Sequence, residues 1–469
     1  MDMSIGIPSQ LPPPFVPVEV CEHIIDMLYS DIDVSEGLQY TATLHSCALV
    51  CRAWRIRAQR TLFYSVHLIN VASLNKFAAV LQTARHLEAY VYEVTLSGRS
   101  LQTTASMLSP FLIIFQAAKL PNLQRLAVLC VLESAQWYPP TSHSASISPK
   151  AKPLPHIPFH SHFSTLLSAF TTLSRLELQE TRFRSFGEFA RMIAALPNLR
   201  SLACTSVRWN TLGGAFPAQT TDGTGAWSRP PFPLKLRSLV LWKSGSHAAK
   251  WLLSACGRSP SLKSLSIGIP LGGREESETG VEIDLSLFSE LDELTIMPTS
   301  TRFAAEKQYS DLLKAMLTSW KPRCSDPYLR FGAETWTYLF TRDEFACILQ
   351  VVGAVTENWR TEIADTSGKG EVKHLFFIDL YEQERHLREQ WVGCFLDAFP
   401  TWLKLGGLIV RIENPHGPAY EWAEDSDRIE KISEPADSTS NTALQREASS
   451  SQLACKVPSP HAFRDLERH

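Results

Sequence analysis

Four histidines lie close together in this sequence, His143, His156, His160 and His162. Imidazoles so grouped are a candidate metal site, but the stretch around them, residues 134–160, is crowded with Pro and Ser. That composition predicts a polar loop rather than a metal centre. The adjacent acids Asp343/Glu344 and Glu424/Asp425 have the residue type for general acid–base work, but both pairs sit in polar contexts that predict solvated charge. Arg52, Arg55, Arg57 and Arg60 offer four guanidinium groups in nine residues. Trp54, the aromatic among them, belongs to an apolar stripe, so a solvated helix face is expected rather than a phosphate grip. G-x-S-x-G, G-x-G-x-x-G, Walker and H-E-x-x-H patterns are all absent. The sequence therefore predicts no catalytic residues, no metal, no cofactor and no enzymatic activity.

The elements that position these residues follow from composition and periodicity. The chain has 469 residues, 44% of them hydrophobic and 20% charged, and a net charge of -3. This is globular composition. The near-neutral balance predicts neither a nucleic-acid nor a membrane partner, since both reward a basic excess. Ten cysteines are scattered without a C-x-x-C pair, as expected for reduced thiols. Met1 to Val18 has no basic n-region and no long apolar core, so no signal peptide is predicted. The expected location is cytoplasmic, nuclear or both.

An internal repeat runs along the chain, interrupted by two loops, 134–160 and 211–232. Its copies are LPNLQRLAV (120–128), FTTLSRLEL (170–178), LPNLRSLAC (196–204), PLKLRSLVL (233–241), SPSLKSLSI (259–267) and FSELDELTI (288–296). Apolar residues or Cys recur at i, i+3 and i+5, as in Leu173/Leu176/Leu178 and Leu262/Leu265/Ile267. The last two positions share one face of a strand. A weaker copy carries Leu405, Leu408 and Val410. First leucines recur after 26 residues (173 to 199, 236 to 262) or 29 (262 to 291) where no long loop intervenes. Amphipathic stripes such as Phe186, Phe189, Ile193 and Leu196 precede strands. The expected class is α/β, an irregular leucine-rich-repeat-like solenoid over 65–422 in which stacked units bury one another's apolar faces. Residues 321–373 fit neither repeat nor loop. From 423 to 469 the chain is acidic and then Ser/Thr-rich, which predicts a disordered tail; residues 1–14 form a Pro-rich lead.

Residues 15–64 are helical in pattern. Pro17 suits a helix start and Glu19 the positive end of the helix dipole. Val20, Ile24 and Leu28 share one face, with Cys21 and Ile25 beside them. A polar stretch, Asp31 to Thr43, is expected to break the helix. Leu44, Cys47, Cys51, Trp54, Ala58 and Leu62 then follow at helical spacings. A unit of some fifty residues carries more apolar face than it can bury alone.

The string V-P-x-E-V-x-x-x-I-I-x-x-L, then C-A-L-V-C-R-A-W (47–54), then Leu62-Phe63, resembles the F-box. The whole chain is similar to the F-box proteins abundant in mushroom-forming fungi, which pair this module with a loose leucine-rich region. Pro17, Val20, Ile24, Leu28, Leu49, Val50, Cys51, Trp54, Leu62 and Phe63 fall on the family pattern, with Val16 in place of its usual leucine. The resemblance implies that these residues dock a Skp-family adaptor and so join a cullin ubiquitin ligase, with a protein substrate held by the C-terminal half. Outward strand positions predict the substrate-binding residues as Arg175, Glu177, Arg200, Arg237 and Lys263, with Arg125 and Glu293 in similar register. The alternative is a leucine-rich interaction scaffold without a ligase role, its helical module capping the solenoid.

Overall fold

The L-x-x-L-x-L segments form neighbouring strands of one sheet. The computed structural model describes residues 17–28, 34–97, 107–116, 119–129, 162–211, 235–242, 252–253, 256, 261–269, 283–298, 306–320, 328–331, 342–367, 376–381, 393–404, 408–413, 420–422 and 430–431. Its strands are β1 (Ser65–Leu68), β2 (Glu93–Ser97), β3 (Arg125–Leu129), β4 (Arg175–Gln179), β5 (Arg182–Ser185), β6 (Ser201–Thr205), β7 (Arg208–Thr211), β8 (Ser238–Trp242), β9 (Ser264–Ile269), β10 (Glu293–Pro298), β11 (Tyr328–Phe331), β12 (Phe376–Tyr381), β13 (Leu408–Glu413), β14 (Tyr420–Trp422) and β15 (Glu430–Lys431). From β1 to β13, leaving out β5 and β7, each pairs in parallel with the next in chain order. A parallel sheet in chain order needs a crossover between every two strands. Such stacking of one unit on the next is a solenoid.

The repeat sets the register. Leu126, Leu176, Leu202, Leu239, Leu265 and Leu294 are ladder partners in succession, as are Val128, Leu178, Cys204, Leu241, Ile267 and Ile296. All are buried in one continuous core. A full burial of this kind contributes at most about 1.5–3 kcal/mol per side chain. Two further units precede those legible in the motif. Val91, Val94 and Leu96 form one and Phe63, Val66 and Leu68 the other; β1 and β2 continue the same ladders into β3. The weaker copy also joins, with Leu408 beside Phe376 and Val410 beside Ile378.

Side chains at the turns tie one unit to the next. Asn122 donates to the carbonyl of Ala89 and Asn198 to that of Thr171, both at 2.7 Å. These are equivalent positions, so each asparagine satisfies a carbonyl in the unit before its own. Helices cover the leucine face. In the helix Phe186–Ala194, Ser185 caps the start by accepting from the Glu188 N–H at 3.2 Å. Phe186, Phe189 and Ile193 are buried beneath it, as their spacing predicts. Glu180 and Ser206, seven residues after the first leucine of their units, adopt positive φ of 52° and 54°. Those turns send the chain into β5 and β7, which pair as a second small sheet with Phe183 beside Trp209.

Residues 321–373, unreadable by motif, contain β11 and a long helix, Arg342–Ser367. The tail expected over 423–469 is corrected in one place: Glu430–Lys431 pair antiparallel with β14. Its other residues, the loop 134–160 and residues 212–232 lie outside the described residues, whereas Thr211 belongs to β7. No helix among the described residues is long and apolar enough to cross a membrane.

Candidate functional site

Ahead of Ser65 stand three helices, α1 (Val18–Met27), α2 (Val34–Val50) and α3 (Arg52–Tyr64). Helix α1 ends at Met27, so a break does follow it, but most of the polar stretch expected to make that break, 31–43, is itself helical. Helix α2 begins at Val34 and runs through it, because Leu44 and Cys47, one turn apart, anchor the helix from its buried side. The stripe from Leu44 to Leu62 is instead divided at Cys51, which is extended (φ -156°, ψ 173°) and serves as the N-cap position of α3. The V-C-R core of the motif is therefore a corner between two helices.

These helices have their own small core, Ile25, Leu44, Cys47 and Ala58, with Leu28, Ala48, Trp54 and Leu62 half-buried against it. Asp26 on α1 and Arg57 on α3 form a two-pronged ion pair across it, Nε donating to Oδ1 at 2.7 Å and Nη2 to Oδ2. The Arg57 guanidinium, by hydrogen bond first and charge second, holds the Asp26 carboxyl below the usual carboxylate range. Arg57 thus leaves the solvated face on which the pattern had placed it, whereas Arg52, Arg55 and Arg60 remain exposed.

The sequence-predicted adaptor residues separate into three groups. Pro17, Val20, Ile24, Leu49, Val50 and Cys51 are exposed. Leu28, Trp54 and Leu62 pack into the small core. Phe63 packs against the leucine core, its ring 6.3 Å from that of Phe77 in a stacked pair. Val18, Met27 and Ile56 are exposed too and were missed; Val20, Ile24 and Met27 make the outward stripe of α1, while Cys21, Ile25 and Leu28 face in. Twelve large hydrophobics are exposed among the described residues, and seven of them lie between Val18 and Ile56. Leu49 is 87% exposed and Met27 69%. Large apolar side chains left in solvent are thus concentrated on this three-helix module.

On the open face of the sheet, Arg125 grips Glu177 with two bonds of 3.0 and 2.8 Å and Glu93 with a third of 2.9 Å. The Glu177 carboxylate foremost raises the Arg125 pKa above that of ordinary arginine. Glu177 is therefore already engaged by its own chain. Arg175, Arg200, Arg237 and Lys263 are exposed, and Glu293 is half-buried.

Solved structures similar to this chain include the leucine-rich repeat-containing protein LegL7 from Legionella pneumophila. It is 13% identical, over 86% of this chain and 96% of that one, with a TM-score of 0.37. No protein-family model and no curated protein matches the chain. The leucine-rich-repeat-like architecture is carried here by the ladder register.

Of the candidate chemistry, His143, His156, His160, Glu424 and Asp425 lie outside the described residues; His162 and Asp343 are exposed. Among the described residues no three His, Cys, Asp or Glu side chains gather as a metal site would need.

Proposed function

We propose that this protein is a non-catalytic, F-box-type substrate receptor of a Skp–cullin ubiquitin ligase, acting in the cytoplasm or nucleus. The observation that carries the reading is the apolar surface of Val20, Ile24, Met27, Leu49 and Val50, on a three-helix module with a core of its own. An exposed helical face of branched aliphatics suits a groove on an adaptor. The F-box resemblance of residues 15–64 names that adaptor as a Skp-family protein. The solenoid then supplies the partner-binding half, as stacked repeats commonly do.

The test is capture of the full-length chain by a Skp-family adaptor. Ile24→Asp with Leu49→Asp should lower capture at least a hundredfold, about 2.7 kcal/mol, with unchanged circular-dichroism melting. Absence of capture by the folded wild type, or undiminished capture of the double variant, would overturn the reading.

A second reading has one observation in its favour. The end of α3 continues into β1, with Phe63 on the leucine core and Tyr64 stacked on Tyr92 at 5.0 Å. A scaffold whose helical module only caps the sheet edge would show that contact too. It predicts that removing residues 1–64 lowers the melting temperature while costing no ligase contact.

A further inference from the structure

Three successive units carry the same pair of residues ahead of the inward leucine: Arg200-Ser201, Arg237-Ser238 and Lys263-Ser264. Backbone bonds hold the pairs in line. The Arg237 N–H donates to the Arg200 carbonyl at 2.7 Å and the Lys263 N–H to the Arg237 carbonyl at 2.9 Å. Ser201, Ser238 and Ser264 are ladder partners. Adjacent cations are thus one strand spacing apart, about 4.8 Å. One strand earlier, Arg175 stands beside Ser201 in the ladder. All four cations are exposed, and among the described residues none lies within ion-pair distance of a carboxylate. Like charges on neighbouring strands repel, so an anion lying across them gains from all four and relieves that repulsion.

The strip is bounded. On one side Arg125 is neutralised by Glu93 and Glu177. On the other, Asp292 follows Lys263 in the backbone ladder and Glu293 pairs with Ser264. Between these limits the basic run spans four strands, about 15 Å at the usual spacing. The row beside it reads Glu177, already held by Arg125, then Ala203, Val240 and Ser266, one on each strand, and the half-buried Ser201, Ser238 and Ser264 directly follow Arg200, Arg237 and Lys263 in the chain.

We infer that this strip binds a short acidic peptide segment of a partner protein, laid across β4, β6, β8 and β9. Its carboxylates meet Arg175, Arg200, Arg237 and Lys263, and the serine hydroxyls donate to them. An extended peptide rises about 3.3 Å per residue, so roughly five residues span the run, and acids at alternate positions bring three carboxylates to the four cations. A nucleic-acid strand continuing past either end would set its phosphates over Asp292 and Glu293 or over Glu93. The inference rests on the solenoid being the partner-binding half; it does not depend on the adaptor contact.

Fluorescence anisotropy on the full-length chain tests it. The probe is a fluorescein-labelled octapeptide with Asp or Glu at alternate residues and Gly or Ser between, at low salt. Binding should fall at least tenfold with Arg237→Glu and with Arg200→Ala plus Lys263→Ala. It should weaken with added salt, vanish when the acids become Asn and Gln, and be unchanged by Arg52→Ala on the distant module. Equal binding of the neutral peptide, no effect of Arg237→Glu, or tighter binding of an eight-nucleotide thymidine strand would overturn it. Adaptor capture without peptide binding removes this inference alone; peptide binding without adaptor capture removes the ligase reading alone.

Discussion

Arg57 holds Asp26 across the α1–α3 contact, thirty-one residues away in sequence, and so fixes the angle at which α1 presents Val20 and Ile24. Both side chains remain partly exposed, 29% and 41%, so the pair is worth about 0.2–1 kcal/mol after screening. Its larger effect is on orientation. Arg57→Ala and Asp26→Asn should each speed amide exchange in α1 and weaken adaptor capture several-fold, with little change in global melting. A double-mutant cycle should show the two effects coupled. The sign with pH follows from the lowered Asp26 pKa. The contribution is present above the unfolded carboxyl value of about 3.9 and lost as pH falls through the lower folded value. Wild type and Asp26→Asn should therefore converge in stability under acid.

Phe63 opens the first repeat unit, with Val66 and Leu68 completing the triplet and Phe77 stacked on it. The F-box pattern ends on this same residue, so two readings compete for one side chain. The packing predicts that Phe63→Ala destabilises the solenoid by about 2–3 kcal/mol, somewhat less than a fully buried phenylalanine. Denaturant unfolding measures this. If adaptor capture fell while the unfolding midpoint stayed fixed, Phe63 would belong to the docking face instead.

Leucine spacing revealed the register of the central strands because a one-residue slip would turn every leucine outward. The same spacing hid the first two units, whose triplets are written with Phe, Val and Leu rather than leucine alone, as in Val91/Val94/Leu96. Helix α2 was concealed because its apolar anchors, Leu44 and Cys47, come only after a polar first half. The division at Cys51 was equally hidden, because Leu44 to Leu62 keeps helical spacing across a corner. At the candidate sites, residue type was readable but pairing was not. Glu177 and Arg57 look solvated in the sequence, and only the meeting of β3 with β4 and of α1 with α3 gives them partners.

Arg125 neutralises two carboxylates at once, Glu93 and Glu177, on the strands either side of its own. Removing it leaves two partly buried acids one strand away from a vacated centre. Arg125→Ala should therefore cost about 1–3 kcal/mol, more than Glu177→Gln alone. Adding Glu93→Gln and Glu177→Gln to Arg125→Ala should recover part of the loss, because the unpaired charges go with their partner. Urea midpoints of the four proteins check this, and no recovery in the triple variant would show that Arg125 acts through its stem packing.

Gly353 lies inside the long helix Arg342–Ser367, where alanine would ordinarily be favoured by about 1 kcal/mol. Here a Cβ would collide with the carbonyl oxygen of Ala398, with the carbonyl carbon at 3.3 Å and the Phe399 ring at 3.7 Å. The obstacle is backbone, so it cannot swing aside. The helix or the segment carrying Ala398 must shift, and these carry Trp359 and Phe395 with Trp402, respectively, into the core. Overpacking of this kind costs about 1–3 kcal/mol, enough to reverse the helix preference. Gly353→Ala should thus lower the melting temperature, whereas Ala354→Gly, next along the helix and exposed, should cost only its propensity. A Gly353→Ala protein as stable as wild type would mean that the helix does not approach Ala398 this closely.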